Sequence, residues 1–428
     1  MTFDISKFKN RKSLSNRYEK RIQVLKDAGK QVDCIETAVT GALKNIKLKD
    51  TRSFVIYGEP QSGKTEMMIA LTAKLLDEGY KIIIHLLNDN ISLLEQNLYR
   101  FQESGLSPAP RNYLEVLDSV IEIGDKEWVI FCKKNGSNLR SLLEKIGNID
   151  GKIIIDDEAD YASPNAKVNA GKETTIHSLI KKLLKNEGIY IGVTATPARL
   201  DLNDTFENDH EKWIDFPPHK KYNGYNDFFP QSPDRKFRLN TIPDNAGDDP
   251  KYARDALFGF LVNVAYLNSQ SPIHERPNNY SFLVHTSGQK VDHKKDYQTI
   301  QKTFGVLSDQ QHKDFEKYVQ QVWNIAHDRY PSEADKVTKY ILEHIGCINI
   351  VVMNSAKEFE TNHKSATSPS TIFTIVIGGN IVSRGMTFDN LLAMYFTRDV
   401  KHKIQQDTYI QRARMFGTRP YLPYFELT

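Results

Sequence analysis

Between residues 51 and about 200, short apolar runs alternate with longer amphipathic ones: "SFVIYG", "KIIIHLL", "EWVIFC", "KIIIDD" and "IYIGVTAT". Apolar residues fill successive positions in these runs instead of every second one. That pattern predicts strands buried on both faces of a parallel sheet, and their alternation with helical stretches predicts an α/β domain over 51–200. From 201 to 250 the periodicity is lost. "DLNDTFENDHEKWIDFPPHKKYNGYNDFFPQSPDRKF" is polar and rich in Pro and Asn, and reads as an irregular connector or accessory segment. A helix ("KYARDALFGFLVNVAYLN"), a strand ("YSFLVHTS"), a polar helical stretch from about 296 to 345, two strands ("INIVVMN", "IFTIVIGG") and a final helical motif follow. They predict a second α/β domain over 251–428 with a helical insertion. Residues 1–50 read as a helical segment.

Composition changes this picture little. A chain of 428 residues suits two or three domains. With no run of eighteen apolar residues, no membrane span is predicted. The opening "MTFDISKFKNRKSLSNRYEK" lacks the apolar core of a signal peptide, so the cytoplasm is expected. Cys34, Cys132 and Cys347 are far apart and predict neither a disulfide framework nor a zinc site. A net charge of +3 neither demonstrates nor excludes a polyanionic partner. The early cluster Lys7, Lys9, Arg11, Lys12, Arg17, Lys20 and Arg21 reads either as a solvated helix face or as a nucleic-acid patch.

The candidate chemistry begins with Gly58-Glu-Pro-Gln61-Ser62-Gly63-Lys64-Thr65, a GxxxxGK[ST] loop between a strand and a helix. Successive loop amides can hold phosphate oxygens at a helix N-terminus. Lys64 is then expected to reach the β- and γ-phosphates of a nucleotide, and the Thr65 hydroxyl to ligate Mg²⁺. "KIIIDDEAD" ends a buried strand in carboxylates, at the sheet edge where open α/β sheets bind ligands. Asp157 is assigned to Mg²⁺ and Glu158 to the attacking water. A one-residue shift of register exchanges Asp156 for Asp157. In "GVTATPARL", the small hydroxyl residues Thr194 and Thr196 can bond the neighbouring carboxylates.

Near the C-terminus, "DTYIQRARMFGTR" puts Gln411 and Arg414 on one helix face by i, i+3 spacing, with Arg419 just past Gly417. Small-molecule kinases and switch GTPases do not need arginines from a second domain. A motor does, since such fingers tie hydrolysis to domain closure. Upstream, "VIGGNIVSRGMTF" offers Asn380, Ser383, Arg384 and Gly385 in a Gly-rich turn suited to nucleotide and backbone phosphates.

In this order the segments resemble superfamily 2 helicases and translocases. More narrowly, "PQSGKT", "IIDDEADYAS", "GVTATPARL", "FLVHTS", "VIGGNIVSRGMTF" and "QRARMFGTRP" resemble the Z-one (Z1) domain family, helicase-like proteins found beside bacterial restriction–modification genes. The resemblance covers about residues 50–428. It implies two RecA-like domains with ATP and Mg²⁺ between them, DNA (duplex or single-stranded) across both, and restriction or defence partner subunits. It makes Lys64, Glu158, Gln411, Arg414 and Arg419 catalytic. Gly58, Gln61, Ser62, Gly63, Lys64, Thr65 and Gly385 become nucleotide contacts. Gln96, Arg100, Lys133, Lys134 and Asn135 are the implied nucleic-acid contacts of the first domain. His285, Thr286, Ser287, Asn380 and Arg384 are those of the second. Surface charge is the alternative for Lys133 and Lys134, and a turn former for Asn135.

Two departures stand out. Ala413 replaces the family's usual Gly and Arg412 an apolar residue, a change that a helix tolerates but that makes Arg412 a competing finger. The chain also stops nine residues after Arg419, so a second domain truncated at its C-terminus is expected. Two other functions stay open: an ATP-dependent switch or scaffold, or an endonuclease component whose nuclease site lies in a partner or a missing C-terminal region. No convincing D…(D/E)xK set lies outside the ATP site, and no NKxD-type guanine reader follows the loop at a plausible place.

Overall fold

The computed structural model describes residues 16–119, 126–164, 173–185, 187–196, 206, 209–232, 234–243, 249–270, 276–285, 289–353, 367–379, 388–396 and 415–428. The chain divides into two compact units, Met1–Lys220 and Lys221–Thr428.

In the first unit the elements are α1 (Arg17–Asp27), α2 (Asp33–Ile46), β1 (Ser53–Tyr57), α3 (Lys64–Asp77), β2 (Ile82–Leu87), α4 (Ile91–Glu103), β3 (Arg111–Asn112), α5 (Tyr113–Leu117), β4 (Trp128–Lys133), α6 (Gly136–Ile146), β5 (Ile153–Asp157), α7 (Thr175–Leu184), β6 (Ile189–Thr194) and β7 (Ile214–Asp215). The strands form one parallel sheet in the order β3-β4-β2-β5-β6-β1-β7. β2 and β6 are buried along their whole length, as successive apolar positions predict for strands covered on both faces. The five apolar runs read from the sequence are β1, β2, β4, β5 and β6.

Helix α3 begins at Gly63, which turns the chain at φ 98°, a left-handed angle that glycine adopts without a β-carbon clash. It is apolar nearly all round, with Met67, Met68, Ile69, Ala70, Leu71, Leu75 and Leu76 all buried. A helix of that composition needs cover on its outer side. α1 and α2 supply it, placing Tyr18, Ile22, Leu25, Ile35, Val39 and Ile46 in the same core. Arg17 pairs with Asp77 and Glu127, and Arg21 with Glu66, so these two members of the basic cluster are tied into the unit.

The second unit holds β8 (Tyr222–Asn223), α8 (Tyr225–Phe228), β9 (Arg238–Leu239), α9 (Pro250–Ser269), β10 (Tyr280–His285), α10 (Lys290–Ser308), α11 (Phe315–Arg329), α12 (Ala334–His344), β11 (Ile348–Met353), β12 (Phe373–Gly378), β13 (Leu391–Phe396), β14 (Gly417–Thr418) and β15 (Glu426–Leu427). A second parallel sheet runs β11-β12-β10-β13-β15-β9, and β8 pairs antiparallel with β14. The protein therefore has two parallel-sheet α/β units of RecA-like type. The segment "YFELT" supplies β15 to the second sheet.

Buried ionic groups close this sheet. Arg329 pairs with Glu426 at 2.8 Å, and its guanidinium also donates to the Gly259 carbonyl and to Asn263 Oδ1, each at 3.1 Å. A β-carbon at Gly259 would lie 2.6 Å from Glu426 Oε2, so only glycine leaves room for the pair.

Candidate functional site

The loop Gly58–Lys64 leaves β1 at the C-terminal edge of the first sheet, between β6 and β7. Gln61 (φ 58°) and Gly63 (φ 98°) both lie in the left-handed region, the alternation that curls successive amides into an anion-binding nest. β7 packs over the start of the loop: the Phe216 amide donates to the Tyr57 carbonyl at 2.7 Å, and a β-carbon at Gly58 would stand 2.9 Å from the Phe216 ring. The part-buried Lys64 ammonium donates to the carbonyls of Gly58 (2.9 Å) and Glu59 (2.7 Å). Burial pushes its pKa down to about 8, against the opposing pull of Asp157, Glu158, Asp160 and Glu59. Ser62 is buried, with no hydrogen-bond partner for its Oγ among the described residues.

β6 separates the loop from β5, and Thr194 at its end joins them. Its carbonyl accepts from the Gly58 amide at 3.0 Å, and its hydroxyl donates to Asp160 Oδ1 at 2.7 Å. The acidic turn follows β5. Desolvation, then the neighbouring Glu158, push Asp157 up to about 6, against the attraction of Lys64 and Lys134. Glu158 takes φ 51°, its amide donates to Asp157 Oδ1 at 3.0 Å, and its carboxylate accepts from Asn88 Nδ2. Asp156 points the other way. It is fully buried, accepts from the Tyr190 hydroxyl (2.6 Å) and from Ser163, and pairs with Lys134.

The site suits a triphosphate with Mg²⁺. A lysine lowered to about 8 by burial, a buried hydroxyl with no hydrogen-bond partner among the described residues and a loop of left-handed turns suit the anion, and a carboxylate raised to about 6 suits the metal. Thr65 and Asp157 are the residues that would hold the metal.

Other predicted residues are placed differently. Lys134 is enclosed inside the first unit. Lys133 pairs with Asp89 at 2.9 Å. Asn135 caps α6, accepting from the Ser137 amide and donating to Asp89 at 2.7 Å. Gln96 is buried on α4 and Arg100 is half-exposed beside it. In the second unit His285 is buried at the end of β10, edge-on to Phe396. Arg419 is buried as well, its guanidinium donating to the carbonyls of Met415 (3.3 Å), Phe416 (3.3 Å) and Phe388 (3.5 Å). Gln411, Arg414, Gly385, Thr286, Ser287, Asn380 and Arg384 lie outside the described residues. Sequence reasoning did not single out Asn88 or Tyr190. A polar residue ending an apolar strand beside the acidic one was the available signal for Asn88.

A family model of the Z1 domain matches residues 253–426. Ahead of the Z1 domain, the family described as type III restriction enzyme, res subunit, matches residues 19–199. That span holds both the phosphate loop and the acidic turn. No curated protein matches the chain. Among solved structures, yeast (S. cerevisiae) Dbp5 bound to RNA and ADP BeF3 is similar at 12% identity and a TM-score of 0.54, over 98% of this chain and 88% of that one. The DUF1998 helicase MrfA bound to DNA is similar at 10% identity and a TM-score of 0.53, over 96% of this chain and 50% of that one. Likenesses at such identities establish a helicase-like fold.

Proposed function

We propose that this protein is an ATPase of superfamily 2 type, a motor that hydrolyses ATP on DNA within a bacterial restriction–modification or phage-defence system. One observation carries the reading. Thr194 binds the phosphate loop through its carbonyl and the acidic turn through its hydroxyl, so loop, metal ligand and hydrolytic carboxylate form one framework. The match to the res subunit over the same residues supports it. So do the RNA and ADP BeF3 bound to Dbp5 and the DNA bound to MrfA, two proteins of similar fold.

In this reading the amides of Gly58–Thr65 and the Lys64 ammonium bind and orient the phosphates. Thr65 and Asp157 would hold Mg²⁺, which would supply positive charge against the charge that develops on the phosphates. Glu158 orients the water and accepts its proton. By the family resemblance Gln411 and Arg414 are further residues expected to serve hydrolysis.

The test is ATP turnover with and without single-stranded and duplex DNA and RNA, followed by triplex displacement. DNA-stimulated turnover with displacement is expected, together with loss of hydrolysis in Lys64→Ala. Glu158→Gln is expected to keep ATP binding while hydrolysis stops. Arg414→Ala is expected to lose hydrolysis with little loss of ATP affinity, and normal turnover in that variant would sink the motor assignment. Stimulated turnover without displacement would make the protein a switch.

A further inference from the structure

Lys134 follows β4 directly, and its side chain is completely enclosed, as is that of Asp156, whose Oδ1 lies 3.0 Å from the ammonium. The same ammonium donates to the main-chain carbonyls of Asp157 (3.0 Å) and Glu158 (2.8 Å). A buried ammonium is unfavourable unless its three donors are matched. Here they converge on one carboxylate and two successive carbonyls, and those carbonyls belong to the two residues assigned above to metal and water.

The backbone at that point is unusual. Glu158 takes φ 51°, a left-handed conformation that a residue with a β-carbon keeps only where its surroundings hold it. Asp156 is held from behind by Tyr190 and Ser163, so the lysine's anchor does not move. A counter-ion for Asp156 would need only the ion pair. The two additional bonds, both to the acidic turn, have no electrostatic purpose for Asp156.

We infer that Lys134 is a positioning residue for hydrolysis: it locks the Asp157–Glu158 main chain in the turn that aims the Glu158 carboxylate. This rests on the ATPase reading above and gives a role to a lysine that the resemblance made a nucleic-acid contact.

The experiment compares the full-length wild type with Lys134→Met, Asp156→Asn and the double variant, measuring melting temperature, nucleotide affinity and the kcat and KM of ATP turnover. Lys134→Met is expected to melt early, because Asp156 is left unpaired. The double variant removes both charges and is expected to regain the melting temperature and ATP affinity. Its kcat is expected to stay on the order of 100-fold low, the usual scale for a displaced catalytic group. A double variant that turns over ATP at the wild-type rate would show that Lys134 merely neutralises Asp156, and would overturn the inference.

If the double variant does not fold, Lys134→Arg decides. Its planar fork keeps the pair with Asp156 but does not reproduce the ammonium's contacts to two successive carbonyls. Lost kcat at retained affinity supports the inference, and retained kcat overturns it. Lys64→Ala in the same assay separates the two levels: wild type no faster than Lys64→Ala sinks the ATPase reading itself.

Discussion

At the scale of single residues, the site is a set of charges held short of neutrality. Among the described residues Lys64 meets only carbonyls within bonding distance, and desolvation lowers it to about 8. Phosphate oxygens would restore its proton, so nucleotide binding above pH 8 should take up a proton. Affinity should then fall as pH rises through 8, by up to about ten-fold per pH unit. Titration calorimetry in buffers of different ionisation enthalpy reads this directly, and binding with no proton uptake at pH 9 contradicts it. Asp157 has the opposite sense: raised to about 6, it is neutral below that pH, so Mg²⁺ dependence should weaken as pH falls through 6. Sequence patterning located Lys64, Asp157 and Glu158 because loop spacing and a strand ending in carboxylates are local signals. It did not separate Lys133 from Lys134. Adjacent residues at a strand end point to opposite sides, and here one pairs with Asp89 while its neighbour goes inside to meet Asp156. The partner that decides the question is 22 residues or more away in sequence and invisible to any local window.

Among the elements, α3 shows how the fold serves the loop. The helix that presents Lys64 and Thr65 is buried on nearly every side, and α1 and α2 provide the outer wall. Ile22→Ala in α1 should therefore cost about 2–5 kcal/mol, as for a core truncation, which a urea melt will read. β2 adds a pH-dependent term. His85 is enclosed, stacks on Phe131 and bonds the Thr72 hydroxyl at 3.0 Å, and burial pushes its pKa down from 6.5 to about 3. The unfolded chain binds that proton more readily, so the stability due to the neutral ring is complete above 6.5. It is lost as pH falls from there towards 3, at about 1.4 kcal/mol per pH unit. His85→Phe should remove one proton from the acid slope of the unfolding free energy, and an unchanged slope would refute this. The buried strands were legible because their apolar runs were unbroken. The function of α1 and α2 was not, because an amphipathic basic helix has the same pattern whether its apolar face meets α3 or another partner.

For the molecule as a whole, each unit has its own sheet and core, and their order along the chain follows the motifs. The second unit depends on a buried pair that composition could not reveal. Gly259→Ala would push a methyl group against Glu426, and Arg329→Met would leave that carboxylate unpaired at a cost of about 3–5 kcal/mol. Both should lower the melting of Lys221–Thr428 while ATP affinity at the first unit holds. A parallel fall in affinity would count against the assignment of the pair to the second unit's stability alone. The same lock has a bearing on biosynthesis. Among the described residues, the first sheet has all its strands once Asp215 has left the ribosome, whereas β9 pairs with β15 alone, and Asn240 waits 186 residues for Glu426. A nascent chain should thus carry a finished nucleotide-binding half, trailed by an unpaired strand that is exposed to chaperones and to stray pairing until translation reaches Leu427.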